Sequence, residues 1–187
     1  KPLPEITEEE IPFEIPESWE WVRLGNLVEI NPRNKLDDTL EVSFIPMPLI
    51  DDGYSNSHRS EIRKWGDIKS GFTHFSEGDV GVAKITPCFQ NKKSVIFTNL
   101  KNGYGAGTTE LHILRSFSKH IETKYILWFV KNPDFIKRGM DAFTGTAGQE
   151  RVGKDFVANT LFPLPPLAEQ HRIVAKVEEL MKLVDKL

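Results

Sequence analysis

The closing 27 residues, LFPLPPLAEQHRIVAKVEELMKLVDKL (161–187), constrain this chain more than any other stretch. Prolines at 163, 165 and 166 dictate an extended entry. Pro166 suits the first turn of a helix, where its missing N–H is not needed. Beyond it Ile173, Val177, Leu180, Val184 and Leu187 follow at spacings of 4, 3, 4 and 3, widened by Val174 and Met181. That is the seam of a coiled coil. A helix of about 20 residues is marginal alone in water, so this one requires a partner. The partner is another helix or, alternatively, the helix's own domain.

At the other end, residues 1–17 (KPLPEITEEEIPFEIPE) carry prolines at 2, 4, 12 and 16, which forbid a continuous helix. They predict a linker or arm. Its character, with Lys and not Met in first place, is that of the interior of a longer protein, and no signal peptide is visible. Globular structure is expected from about Trp19. Short strands are predicted at Trp19–Arg23, Val42–Pro48, Val80–Lys84, Ser94–Thr98 and Thr109–Leu114, with Leu24–Ile30 either a short helix or a strand. Helices follow at Ile121–Val130 and from Pro133, capped by Asn132, to about Gly139. Three glycines between Ala142 and Phe156 predict a loop. The expected fold class is α+β: a twisted, mainly antiparallel sheet domain with packed helices, followed by a long C-terminal coiled-coil helix.

Composition narrows the function classes. Apolar residues make up 39% and aromatics 10% of the 187, which excludes a disordered chain. No run reaches the roughly 20 apolar residues of a membrane span, so no membrane partner is expected and the location is cytoplasmic. A lone Cys88 excludes a disulfide framework and a multi-cysteine zinc site. The net charge of −3 hides an asymmetry: residues 1–61 hold 14 acids and 5 bases, whereas 62–154 hold 15 bases and 8 acids. A basic face of that kind suits a polyanion, although charges on a solvated surface give the same count.

Catalytic patterns are weak. Asn31-Pro32-Arg33 and Asn132-Pro133-Asp134 lack the second proline and the aromatic of an amino-methyltransferase loop. The run from Gly103 to Gly107 resembles a cofactor loop, but a strand pattern follows it in place of a phosphate-holding helix, so it is read as a structural turn. Asp67-Ile68-Lys69, with Asp51 or Asp52 upstream, has the spacing of a metal-dependent nuclease, yet Gly66 and Ser70 make it look like a turn. Histidines 58, 74, 112, 120 and 171 show no paired ligand spacing and read as surface or packing residues. No metal and no cofactor are expected, and the chain does not look like an enzyme.

Nucleic-acid binding fits better. Lys84–Lys93 (KITPCFQNKK) presents Gln and Asn, which pair with adenine edges, beside Lys for phosphates. The loop Thr144–Arg151 offers small residues for close approach, then Gln149 and Arg151. Ser57-His58-Arg59 is a third polar, basic loop. The expected phosphate contacts are Lys84, Lys92 and Lys93, and the expected base readers Asn91, Gln149 and Arg151. Arg59, Thr144, Thr146 and Lys154 complete the candidate DNA-binding set.

At these residues a resemblance becomes specific. Phe162-Pro163-Leu164-Pro165-Pro166-Leu167-Ala168-Glu169-Gln170, followed by Arg172-Ile173-Val174, resembles the signature of the specificity subunit of type I restriction–modification enzymes. Ile15-Pro16-Glu17-Ser18-Trp19-Glu20-Trp21, Gly78-Asp79-Val80 through Ile85-Thr86-Pro87-Cys88, and Gly145-Thr146-Ala147-Gly148-Gln149 are similar to that family too. The resemblance implies a linker (1–17), a target recognition domain (18–160) and the start of a spacer helix (161–187). It implies a non-catalytic chain that reads one half of a split double-stranded DNA site. The implied partners are methyltransferase and restriction subunits, with Ile173, Val177, Leu180, Val184 and Leu187 pairing with a helix of the complete subunit or of a second copy. The family carries two recognition domains, and one is present here. Two alternatives stand beside this reading: a DNA endonuclease using Asp67 and Lys69, and a helical oligomerisation module.

Overall fold

A computed structural model describes residues 2–184. In chain order they form β1 (Glu20–Arg23), β2 (Val28–Ile30), β3 (Glu41–Ile45), β4 (Glu61–Lys64), α1 (Trp65–Ile68), β5 (Thr73–Ser76), β6 (Val80–Ala83), β7 (Ser94–Ile96), β8 (Tyr104–Gly107) and β9 (Leu111–Ser116). Then come α2 (Thr123–Val130), α3 (Pro133–Asp141), α4 (Lys154–Asn159), β10 (Leu161–Leu164) and α5 (Leu167–Val184). One sheet has the order β2-β9-β6-β7 and is antiparallel throughout. A second has the order β4-β3-β8-β5, in which β3 and β8 run parallel. β1 and β10 pair antiparallel on their own. This is the mixed α+β arrangement expected, with antiparallel pairing dominant.

The first sheet is buried on both faces. Alternation along β6 and β9 puts Val80, Val82 and Leu114 against α2, α3 and α4, among Ile126, Leu127, Val130, Phe135 and Val157. Ala83, Leu111 and Ile113 point the other way, into a core shared with Ile45, Phe75, Val95 and Phe97. The two sheets meet at Phe75 and Phe97, whose rings stack with centroids 3.8 Å apart and planes 7° from parallel. Small residues make room for that stack. A methyl group at Gly105 would press on the Phe75 ring and lie 2.6 Å from the Ser43 carbonyl oxygen, and one at Gly81 would lie 2.7 Å from the Phe97 ring.

That packing overturns one expectation. Gly103–Gly107 was expected as a turn; Tyr104–Gly107 is a strand between β3 and β5, because Gly105 and Gly107 let neighbouring strands and Phe75 approach. Likewise Asp67-Ile68 is not a turn but the end of α1, capped by Lys69 and held by the buried Trp65 and Ile68. The expected 142–156 loop is interrupted at Lys154, where α4 begins and buries Val157 and Ala158. β4 and β5 were not foreseen. Leu24–Ile30 divides into a 3-10 turn (Leu24–Asn26) and the strand β2. α3 starts at Pro133 with the Asn132 side chain accepting a hydrogen bond from Asp134 N at 2.8 Å, as expected.

The first and last elements of the described residues lie against the domain. Arg23, 4% exposed, donates to Pro4 O, Glu5 O and the Glu10 carboxylate at 2.7–3.0 Å, and to Asn159 O at 2.9 Å. α5 turns Gln170 and Val174 into the domain, and Gln170 Oε1 accepts from Glu122 N at 2.8 Å. Glu178 pairs with Lys124 at 2.7 Å. Ile173 and Val177 border an apolar groove of about 340 Å³ with Phe13, Trp21 and Trp128, while Leu180 and Leu183 are exposed. Leu187 lies outside the described residues.

The stack predicts a steric test. Gly105→Ala should destabilise the protein by roughly 1–3 kcal/mol in urea denaturation, since an added methyl group finds no room. Gly153→Ala, whose added methyl meets open space, should cost under about 1 kcal/mol.

Candidate nucleic-acid interface

The segment that leaves β6 runs over the sheet end and returns as β7. On the way it is joined to the 144–151 loop: Ile85 bridges Arg151, Thr86 N and Oγ1 donate to Glu150 O at 3.0 Å, and Val152 N donates to Lys84 O at 2.9 Å. That loop is itself closed by reciprocal bonds between Thr144 and Arg151, 3.1 and 2.8 Å long. Gly145 and Gly148 take its left-handed positions, φ +117° and +81°. The third loop closes through an Ile50–His58 bridge, and the Ser57 hydroxyl donates to the Asp51 carboxylate. At its turn Gly53 N donates to Asn91 O at 2.8 Å.

Segments 50–58, 84–93 and 144–152 are therefore contiguous. Asn91, Thr144, Thr146 and Gln149 are exposed on them, and Lys154 is exposed at the start of α4. Arg59 is exposed as well, but it lies past the closing bridge and not at the turn that meets Asn91. Lys92 extends its ammonium over the Tyr54 ring, 5.1 Å from the centroid. Lys93 Nζ donates to Met47 O at 3.2 Å. Lys84 is half-buried and borders a cavity of about 220 Å³ with Asn31, Arg33, His74 and Thr109.

Arg151 is engaged by its own loop and by Glu110 at the surface, with its side chain 40% exposed. Its Nε and Nη2 donate to the two carboxylate oxygens of Glu110, each at 2.9 Å, and Nη1 donates to Gln149 O at 2.8 Å. The bidentate pair holds the Glu110 carboxyl below the usual range. Behind it, buried His112 has Nε2 2.9 Å from Val152 O and Nδ1 3.4 Å from Asn31 Nδ2, the pattern of a neutral ring.

Two features escaped the sequence reading. One is Lys131, which is fully buried and donates to Gly53 O at 2.7 Å and Lys92 O at 2.8 Å. In sequence it is one more basic residue at a helix end. The other is a polar groove of about 970 Å³ bordered by Arg33, Lys35, Arg115 and Lys119. There Arg115 is fixed by the buried Asp79, at 2.8–3.3 Å, and by Ser76 Oγ at 2.7 Å. The nuclease pattern finds no support: Lys69 Nζ pairs with Asp38 at 2.7 Å, and among the described residues no three His, Cys, Asp or Glu side chains are grouped to hold a metal. No helix of the described residues is long and apolar enough to cross a membrane.

Polar loops carried on a doubly buried sheet, with a C-terminal helix packed on α2, define the class by its fold: a mixed α+β domain that presents its loops at one sheet end. The family described as type I restriction modification DNA specificity domain matches residues 16–186, and this chain belongs to it. Over its whole length the chain is 54% identical to the type I restriction enzyme EcoAI specificity subunit and 49% identical to the EcoEI specificity subunit, both of Escherichia coli. It spans 32% of each of those proteins. Its fold is similar to that of the HsdS subunit from Thermoanaerobacter tengcongensis, with TM-score 0.75 and 27% identity, over 94% of this chain and 45% of that one. The type I restriction–modification S subunit from M. genitalium shares the fold at TM-score 0.53 and 12% identity, over 93% and 42%.

The histidines give a pH prediction. Burial holds the imidazoles of His58, His74 and His112 below their usual value, so the unfolded chain binds more protons below about pH 6.5. Their contribution to stability is complete above that value and is lost as the pH falls towards the folded-state values. The urea midpoint should therefore drop between pH 7.5 and 5.5; a flat profile would contradict the buried, neutral rings.

Proposed function

We propose that residues 18–160 are a target recognition domain that reads one half of a bipartite double-stranded DNA site, and that 161–187 begin a spacer helix. The chain itself catalyses nothing; methyl transfer and cleavage belong to methyltransferase and restriction subunits of a cytoplasmic type I assembly. The observation that carries this reading is the joining of the three polar loops into one surface, together with membership of the family. Lys84, Lys92 and Lys93 supply phosphate contacts, with Arg59 and Lys154 at the margins. Asn91 and Gln149 are the base readers, and Thr144 and Thr146 allow close approach. Arg151, tied to Glu110 and Gln149, holds the loop in shape and keeps only its outer edge for DNA.

Selection from a pool of randomised duplexes tests the reading: the chain should enrich a short motif, and no enrichment would refute it. On the selected duplex, Lys92→Ala should weaken binding to all sequences and lower the salt slope by about one unit. Asn91→Ala or Gln149→Ala should cost roughly 1–3 kcal/mol against the selected site and relax one position. Equal, sequence-independent losses at all of them would contradict that division.

α5 supplies the spacer. We infer that it pairs with a helix from the rest of the subunit or from a second copy, along Ile173, Val177, Leu180, Val184 and Leu187. What supports this is the apolar groove beside Ile173 and Val177, where the indole N–H groups of Trp21 and Trp128 are buried without a partner among the described residues, and the exposure of Leu180. Burying a Val or Leu contributes about 1.5–3 kcal/mol, so several such residues offset the entropy of association. Sedimentation of the isolated chain should show self-association that V177K/V184K abolishes while the domain stays folded. A monomer at high concentration would argue against pairing between copies.

A further inference from the structure

We propose that Lys131 is a positioning residue for base readout: its ammonium ties the 50–58 and 84–93 loops into a single surface and so sets sequence discrimination without touching DNA. This rests on the reading of those loops as the DNA-contacting surface.

Lys131 stands at the C-terminal end of α2, where its N–H donates to Leu127 O at 3.1 Å. The helix is anchored in the core by Ile126, Leu127 and Val130, so the side chain leaves from a fixed point. Its ammonium is fully buried and has two carbonyl acceptors, Gly53 O and Lys92 O, one in each loop. Gly53 thus uses both its peptide groups at this junction, its N–H on Asn91 O and its carbonyl on Lys131. Lys92 is held in the left-handed region at φ +56°, a conformation that a non-glycine residue keeps only when its surroundings fix it.

A charge here is expensive. Burial lowers the pKa of Lys131 to about 8, with the Asp52 carboxylate opposing and the Lys92 charge adding to the shift. A methionine would fill most of the same volume without desolvating a charge, but it would leave the Gly53 and Lys92 carbonyls without a donor. What the lysine adds is two charge-assisted hydrogen bonds to two loops far apart in sequence, aligning Asn91, Lys92 and Tyr54 in advance of binding.

Randomised-duplex selection with the wild-type chain and K131M separates the possibilities. The wild type should enrich a motif. K131M, which leaves the Gly53 and Lys92 carbonyls without this donor, should fold with a lower urea midpoint, bind random duplex at low salt as before, and lose about tenfold in preference for the selected motif, the weight of one charge-assisted hydrogen bond. Amide exchange at Gly53 and Lys93 should quicken in the variant while that of β6 and β9 is unchanged. An unchanged preference in K131M overturns the inference and leaves the recognition reading intact; a wild type that enriches nothing overturns both. Should K131M fail to fold, K131Q replaces it, since its amide can still donate to one carbonyl. Intermediate preference then supports the role, and wild-type preference overturns it. On the wild-type protein, amine labelling should spare Lys131 while modifying Lys119 and Lys137, and equal labelling would also overturn it.

Discussion

The stack of Phe75 on Phe97 is the contact on which the rest of the molecule depends. It fastens two four-stranded sheets to each other, and it requires Gly105 and Gly81 at the positions facing the rings. Once the sheets are joined, β6 and β9 are covered on one side by the second sheet and on the other by α2, α3 and α4. A sheet buried on both faces cannot slip register without exposing apolar side chains, so the strand ends are fixed points. The 84–93 and 144–154 segments spring from or lean on those ends, so they start from fixed points.

Polar side chains then transmit the rigidity outward. Lys131 joins the 50–58 and 84–93 loops from beneath, Glu110 grips Arg151 in the 144–151 loop, and His112 secures Val152 beside it. Each of these links crosses 39 to 78 residues of sequence. The basic residues of 62–154 are thereby divided in function. Some, such as Lys131 and Arg115, are held by hydrogen bonds inside the fold, Arg151 is tied to Glu110 at the surface, and others, such as Lys154, are simply exposed.

This division explains what could be read from the sequence. Strands β6, β7 and β9 were legible because each is a compact apolar run bounded by Gly, Asn or Lys. α3 was legible because Asn132-Pro133 states its own start. β8 was not, since its glycines answer to Phe75 and to strands β3 and β5, which are distant in sequence. β4 (EIRK) is exposed at every position and so has no alternation to detect. The loops of the candidate site were found by residue type alone. Their contiguity, the engagement of Arg151 with Glu110 and the burial of Lys131 depend on tertiary partners that spacing does not reveal. The Pro-Pro-Leu-Ala-Glu-Gln element was the most informative short run, because it marks both the entry to α5 and the family.

The central claim is that one surface, made of the three joined loops, meets DNA. Hydrogen exchange of the free chain and of its complex with a selected duplex tests this directly. Slowed exchange confined to residues 50–58, 84–93 and 144–154, with α5 and the groove of Arg33, Arg115 and Lys119 unchanged, is the predicted result. Slowing that leaves those loops untouched and falls on the groove or on α5 would contradict it.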